Sequence, residues 1–117
     1  MSHGNLPNYL RTYRKRVGFD QGEVAFLLGA MSGSKTCRYE RRFRLPPLRS
    51  CLGLEVIFQT PVRQLFAGVY REVEKEVASR AETLIRFLAK KPQTGVTARK
   101  IEALRVIVLV AKNHEGK

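Results

Sequence analysis

Apolar residues recur every three or four positions along most of the chain, which is the spacing of amphipathic helices. In NLPNYLRTYRKRVG the positions Leu6, Leu10, Tyr13 and Val17 follow this spacing, and Gly18 ends the segment. Dipeptides typical of tight strand-to-strand turns are missing between the segments. The pattern therefore predicts an all-α fold, beginning with a helix that ends at Gly18.

Four further segments with helix start or stop signals follow before residue 68. DQGEVAFLLG has Asp20 as N-cap and Glu23 at the capping-box spacing, with Gly29 as its end. The third helix is predicted from Ser32, a good N-cap, to about Arg41.

The fourth and fifth segments are PPLRSCLGLEVIFQ and TPVRQLF. A proline suited to a first helical turn opens the fourth, which is predicted to bury Leu48, Leu52 and Val56. In the fifth, Thr60 is the predicted N-cap and Pro61 the first helical residue.

Residues 69–117 form a separate C-terminal extension in this prediction, with two more helices. The sixth helix runs from about Tyr70 to Lys91, and Thr97 is the predicted cap of the seventh. A single apolar stripe marks the sixth: Val69, Val73, Val77, Ala81, Leu84 and Leu88. The β-branched run in VIVLV leaves a short strand open as an alternative near the C-terminus.

The charge balance is strongly positive and favours polyanionic partners. Among 117 residues there are 22 Lys and Arg against 10 Asp and Glu, which gives a net charge of +12. In the first sixty residues the cations cluster, as in KTCRYERRFR, whereas later they alternate with Glu as on a solvated helix face. The concentrated positive field is therefore predicted for residues 1–60.

Little in the sequence points to a metal, a cofactor, a membrane or catalysis. Cys37 and Cys51 make no metal-ligand spacing with His3 and His114, and no Ser/His/Asp, Cys/His or paired-carboxylate arrangement is evident. The most apolar run, VIVLVA, is too short to span a bilayer. We expect two free thiols in a cytoplasmic, non-enzymatic protein without a cofactor.

Two short helices joined by a tight turn, the second opening with small polar residues, describe a helix-turn-helix. From Leu10 to Phe66 the chain resembles the Cro/C1-type (Xre-family) helix-turn-helix domain of bacterial and phage repressors. The resemblance lies in LRTYRKRVGFDQGEVAFLLG, in SGSKTCRYE with Thr36 at an aliphatic position, and in LRSCLGLEVIFQTPVRQLF. It implies a five-helix, lambda-repressor-like domain over residues 1–68.

The resemblance also implies which residues meet double-stranded DNA. The implied contact positions are Gln21, Ser32, Gly33, Ser34, Lys35, Cys37, Arg38, Arg41, Arg42 and Arg44. Thr36 and Tyr39 would face inward. Arg38 is the candidate for a bidentate guanine contact, whereas Arg41, Arg42 and Arg44 would bind phosphates.

Several of these positions keep a second interpretation. Arg38 and Lys35 are also compatible with solvated charges, and Gln21 either faces a phosphate or only caps its helix. Cys37 is more typical of a small packing residue than of a redox-sensing thiol. Arg14 stands where the family often has an arginine paired with a buried glutamate, here Glu40.

The sequence departs from the family pattern in three places. GAMS holds one residue more than the usual turn, and Gly33 offers no side chain at a position that commonly reads a base. Arg42 and Gln59 stand where glycine usually ends a helix, a position of left-handed backbone.

Together these observations predict a sequence-specific DNA-binding transcriptional regulator, expected to be a repressor that binds its operator as a homodimer. The C-terminal helices are expected to form the dimer contact, with folding back onto their own domain as the alternative. The rival function is an antitoxin-like or adaptor protein, in which these helices bind a protein partner and DNA binding is secondary.

Overall fold

The computed structural model of the chain describes residues 8–30, 32–41 and 44–115. Within these ranges the protein is entirely helical, without a strand. The helices are α1 Leu10–Val17, α2 Gln21–Leu27, α3 Ser34–Glu40, α4 Leu48–Phe58, α5 Val62–Leu65, α6 Ala67–Ala89 and α7 Gly95–Glu115. The prediction of an all-α fold is confirmed for this part of the chain, and the strand alternative at VIVLV is wrong because α7 runs through it.

The chain divides into two compact units, Met1–Tyr70 and Arg71–Lys117. In the first unit, α3 packs against both α1 and α2, while α4 packs against α2 and α5. The buried core of this unit consists of Leu10, Val24, Tyr39, Leu54, Phe58, Leu65 and Phe66. Every helix from α1 to α5 contributes a residue to it.

Local signals in the sequence fix the beginning of α2 and the ends of α1 and α2. Asp20 accepts a hydrogen bond from the Glu23 backbone N–H at 2.7 Å, and the Glu23 carboxylate accepts one from the Asp20 N–H at 2.8 Å. This is the predicted capping box. Gly18 and Gly29 have φ of +102° and +83°, the left-handed backbone that lets a helix stop where glycine stands.

Three predicted helix starts are wrong. Gly33, not Ser32, is the N-cap of α3, and Pro61, not Thr60, is the N-cap of α5. The Thr60 hydroxyl instead donates back to the Phe58 carbonyl at 2.9 Å. At α7, the Thr94 hydroxyl accepts from the Thr97 N–H at 3.2 Å, so Thr94 caps a helix that starts two residues before the predicted cap.

The predicted buried face of α4 is also wrong. Leu48, Leu52 and Val56 are 72%, 50% and 68% exposed, whereas Leu54 and Phe58 are buried. The observed bounds of α6 lie close to the predicted ones. The helix begins three residues before the predicted start and ends two residues before the predicted end.

The second unit is a pair of helices with few buried side chains. Among its described residues the buried hydrophobic ones are Ala78, Ala81, Ile101 and Ala111, three of which are alanine. The Glu74 carboxylate lies 2.6 Å from Nδ1 of His114 and ties α6 to the end of α7. Within the described ranges, no helix has both the length and the apolar content that crossing a membrane requires.

Some predictions fall outside the described residues. They concern Met31, within the GAMS turn that holds one residue more than usual, and the phosphate contact assigned to Arg42, as well as Leu6 and His3 near the N-terminus.

Candidate nucleic-acid interface

Helix α3 has one buried face and one exposed face. Thr36 and Tyr39 are 1% and 3% exposed and point into the first unit, as predicted. Ser34, Lys35 and Arg38 are exposed. Because residues three or four apart share a face of a helix, this division follows from the 3.6-residue repeat. Polar and cationic side chains thus occupy the exposed face of α3, while its opposite face packs against the rest of the first unit.

The turn before α3 is set by the end of α2. The Ala30 N–H donates to the Ala25 carbonyl at 2.8 Å, and the Gly29 N–H donates to the Phe26 carbonyl at 3.0 Å. This pair of bonds, with left-handed glycine between them, is a Schellman motif. It ends α2 sharply and starts the connection to α3.

Gly33 stands against the first turn of α2. A Cβ atom at this position would lie 3.2 Å from the Gln21 carbonyl carbon and 3.2 Å from the Gly22 nitrogen, both of which are backbone atoms. Its φ of −75° is ordinary for any residue, so close approach rather than backbone conformation favours glycine here. The glycine at residue 33, which departs from the pattern of the family that the sequence resembles, therefore has a packing reason in this chain.

The Glu40 carboxylate joins the first three helices. Arg14 donates to it from Nε and from Nη2, the second bond being 3.1 Å long, and its Nη1 donates to the Phe19 carbonyl at 2.9 Å. The Glu40 side chain is only 2% exposed. Its hydrogen bond to Arg14 raises the pKa of the guanidinium above the usual value, which is a sign of tight pairing. The predicted Arg14–Glu40 pair is confirmed.

Gln21 takes part in the same network. Its side-chain amide donates to the Glu40 carboxylate at 3.2 Å, and the residue is half-buried at the first position of α2. The amide therefore positions α2 against the end of α3. The phosphate contact that the family resemblance implies for Gln21 stays a prediction.

The structure brings most of the sequence-predicted contact residues to the beginning, the outer face and the end of α3. Six of them are exposed: Ser32, Ser34, Lys35, Arg38, Arg41 and Arg44. Three are half-buried: Gln21, Gly33 and Cys37. The Ser32 hydroxyl donates to that of Ser34 at 3.1 Å, which leaves the Ser34 hydroxyl proton available to a ligand.

The electrostatic field at this surface is positive and nearly unopposed. Between Glu23 and Glu55 the sequence has six Lys and Arg and one acid, Glu40. That acid is buried and neutralised by Arg14. In the described part of the chain no carboxylate pairs with Lys35 or Arg38. Such a surface attracts polyanions.

Sequence analysis missed an apolar groove on the first unit. It has a volume of about 530 Å³ and is lined by residues that include Leu45, Cys51, Val62, Phe66 and Tyr70. The Cys51 thiol donates to the Pro46 carbonyl at 3.4 Å, and burial raises its pKa. A raised pKa disfavours the reactive thiolate, which favours packing over redox sensing as the role of Cys51.

Compared with protein-family models, with curated proteins and with solved structures, the chain matches none of them. Function must therefore be inferred from the chain's own residues.

Proposed function

We propose that the protein is a sequence-specific DNA-binding transcriptional regulator with a lambda-repressor-like helix-turn-helix, in which α3 is the recognition helix. The observation that carries this proposal is the two-faced α3, with Thr36 and Tyr39 buried and Ser34, Lys35 and Arg38 exposed. A helix of this kind fits the major groove of B-DNA, where base edges are distinguishable.

The supports behind α3 suit this role. Base recognition needs side chains held in one orientation, because a bidentate hydrogen bond tolerates little displacement. The Arg14–Glu40 pair anchors the end of α3, and the close approach of Gly33 to Gln21 anchors its beginning. Both ends of the recognition helix are thus fixed to neighbouring helices.

The cations divide into two roles. Arg38, exposed in the middle of the outer face, is the candidate for guanine O6 and N7, because a guanidinium matches that pair of acceptors. Arg41 and Arg44, at and after the end of α3, contact phosphates and supply salt-dependent affinity. The protein acts by occupying its operator in the cytoplasm, without catalysis.

A binding-site selection with random duplex DNA tests the proposal. The full chain is expected to enrich one motif, and Arg38→Ala is expected to relax preference at one position of it, at a cost of about 1–3 kcal/mol. Arg44→Ala is the matched control, because loss of a phosphate contact weakens all sequences about equally. Failure to enrich any motif, or an equal loss for all sequences with Arg38→Ala, would contradict base reading by α3.

We further propose that the second unit makes a homodimer contact. Val73, Val77 and Leu84 on α6 are 46%, 42% and 43% exposed beside the buried Ala81, and the α7 residues Val106 and Leu109 are 51% and 60% exposed. Two helices of this size cannot bury enough apolar surface alone, and a second copy covers such a face with closed symmetry.

Sedimentation of the full chain tests the dimer. Val77→Glu combined with Leu109→Glu is expected to convert a dimer into a folded monomer with weaker operator binding, because charges are costly in an apolar interface. Leu48→Glu, on the exposed face of α4 in the first unit, is the control and should leave the dimer intact. A monomeric wild-type chain would refute the dimer.

The same exposed face supports a second candidate, an antitoxin-like or adaptor protein whose C-terminal helices bind another protein. Two results together would favour this candidate over the homodimer. The wild-type chain would be monomeric on its own, and the Val77 and Leu109 substitutions would dissociate a complex that the wild type forms with another protein.

A further inference from the structure

The second unit has a net positive charge that is confined to one stretch. Residues 71–117 contain eleven Lys and Arg and six Glu, a net charge of +5. Five cations and no acid lie in residues 86–100: Arg86, Lys90, Lys91, Arg99 and Lys100. The rest of the unit is balanced, with six cations and six acids. We call residues 86–100 the hairpin tip.

The fold brings both halves of the tip to one end of the unit. Helix α6 ends at Ala89 and α7 begins at Gly95, so the last turn of α6 and the first turns of α7 are neighbours. All five cations are exposed. In the described part of the chain none of them pairs with a carboxylate, and the nearest acids along the sequence, Glu82 and Glu102, lie outside the tip.

Neutral partners hold two of these cations in place without cancelling their charge. Arg86 donates to the Thr83 hydroxyl at 3.2 Å, and the Lys91 ammonium lies 4.8 Å from the centroid of the Phe87 ring. The Gln93 amide donates to the Leu88 carbonyl at 3.2 Å and to the Lys91 carbonyl at 2.8 Å. These bonds satisfy carbonyls at the negative end of α6, so the field at the tip stays positive.

We propose that the hairpin tip binds the phosphate backbone of duplex DNA, as a second surface in addition to the outer face of α3. Five unpaired cations within fifteen residues suit a row of phosphates, because each neutralised phosphate releases a counterion. Three of the five are lysines, whose ammonium groups act as compact point charges. Phosphates are the same at every base pair, so a contact made by such charges to the backbone is independent of sequence.

The tip is less suited to a membrane surface. Interfacial membrane binding depends on an apolar face that enters the acyl boundary. Only Phe87 and Val96, 55% and 51% exposed, are large exposed apolar residues of the tip, and Lys91 stacks on the Phe87 ring. Charge rather than apolar area dominates this surface, which favours DNA.

The test compares two full-length variants of equal net charge. The tip variant carries Lys90→Gln, Arg99→Gln and Lys100→Gln. The control variant carries Lys75→Gln, Arg80→Gln and Lys112→Gln, which are exposed in the same unit but outside the tip. Dissociation constants for a duplex of arbitrary sequence are measured by anisotropy across a series of KCl concentrations, after circular dichroism has shown equal helicity.

The tip variant is expected to bind about 10- to 100-fold more weakly at 0.1 M KCl, with a salt slope reduced by about 2 to 3. The control variant should change the slope by less than about 1. Because the duplex contains no selected motif, failure of base reading by α3 leaves this result unaffected.

Three outcomes would overturn the proposal. Equal losses in both variants would show a net-charge effect, and unchanged slopes would show that the tip does not touch DNA. A tip variant that loses binding to phosphatidylserine vesicles or to duplex RNA, while its slope on DNA is unchanged, would assign the surface to that partner instead.

Discussion

The Arg14 guanidinium and the Glu40 carboxylate meet at two points, across 26 positions of sequence, and join α1 to the end of α3. Both side chains are largely buried, with 11% and 2% of their surfaces exposed. The helix proposed to read DNA is therefore oriented by an ion pair on the side away from its ligand. This arrangement separates the residues that hold α3 from those that would contact bases.

Breaking the pair from one side should be far more costly than replacing both partners. Arg14→Met leaves the buried Glu40 carboxylate with only the Gln21 amide, so the free energy of unfolding should fall by about 3–5 kcal/mol. The double variant Arg14→Met with Glu40→Leu should recover most of this loss, because no buried charge remains. Urea unfolding of the wild type, the two single variants and the double variant gives the coupling energy. Simple additivity of the two single losses would contradict the pairing.

Thr36 offers a stabilising substitution. Its hydroxyl is buried and has no hydrogen-bond partner in the described structure, and the side chain is 1% exposed. Thr36→Val keeps the shape and the β-branch while removing the unsatisfied group, so stability should rise by about 1 kcal/mol. Thr36→Ala is the control, which should lower stability because it also removes packing. A lower urea midpoint for Thr36→Val would mean that the hydroxyl is satisfied.

Gln59 ends α4 with φ of +49°, a left-handed conformation that is strained for any residue with a Cβ atom. Its side-chain amide also donates to the Val56 carbonyl at 2.7 Å. Gln59→Gly and Gln59→Ala both remove this bond, but only glycine relieves the strain. The glycine variant should therefore be the more stable of the two by about 1 kcal/mol in thermal or urea unfolding. Equal stabilities would show that the backbone changes conformation when the side chain is removed.

Cys51 should react slowly with alkylating reagents in the folded protein. Burial raises the pKa of its thiol, so the thiolate forms at higher pH than in the unfolded chain. In a Cys37→Ser background, the pH midpoint of iodoacetamide modification should be higher in buffer than in denaturant.

A group whose pKa is raised by folding stabilises the native state below its unfolded pKa and loses that contribution as the pH rises through the folded value. Stability should therefore decline in the alkaline range, and Cys51→Ala should remove that part of the decline.

Strong local signals predicted the end of α1 and both boundaries of α2, whereas tertiary packing decided the face of α4. The capping residues Asp20 and Glu23 act within one turn, so sequence alone locates them. In LRSCLGLEVIF apolar residues point in almost every direction, so periodicity does not select one face. In the structure α4 packs against α2, where a Cβ atom on Gly53 would lie 2.6 Å from the Leu28 Cδ2 atom, and Leu54 and Phe58 are the buried residues of α4.

The candidate site was predictable where the spacing along a single helix decides which side chains are exposed, and not where groups from different helices meet. Helical spacing, together with the family resemblance, predicted that Thr36 and Tyr39 face inward and that Lys35 and Arg38 face outward. Periodicity does not report which groups meet across helices, so the bond from the Gln21 amide to Glu40 appeared only in the structure.

If α3 reads DNA as proposed, the packing of Gly33 against the backbone of Gln21 and Gly22 limits how its specificity can change. A Cβ atom at residue 33 would lie 3.2 Å from that backbone, which is tighter than ordinary packing, so the start of α3 or of α2 would have to shift by a few tenths of an ångström to accept a side chain there. Under the proposed function, new operators are accessible mainly through Ser34, Lys35 and Arg38, three exposed positions on the outer face of the helix. The contact that holds the start of α3 close to α2 would then also restrict the range of DNA sequences that relatives of this chain could evolve to recognise.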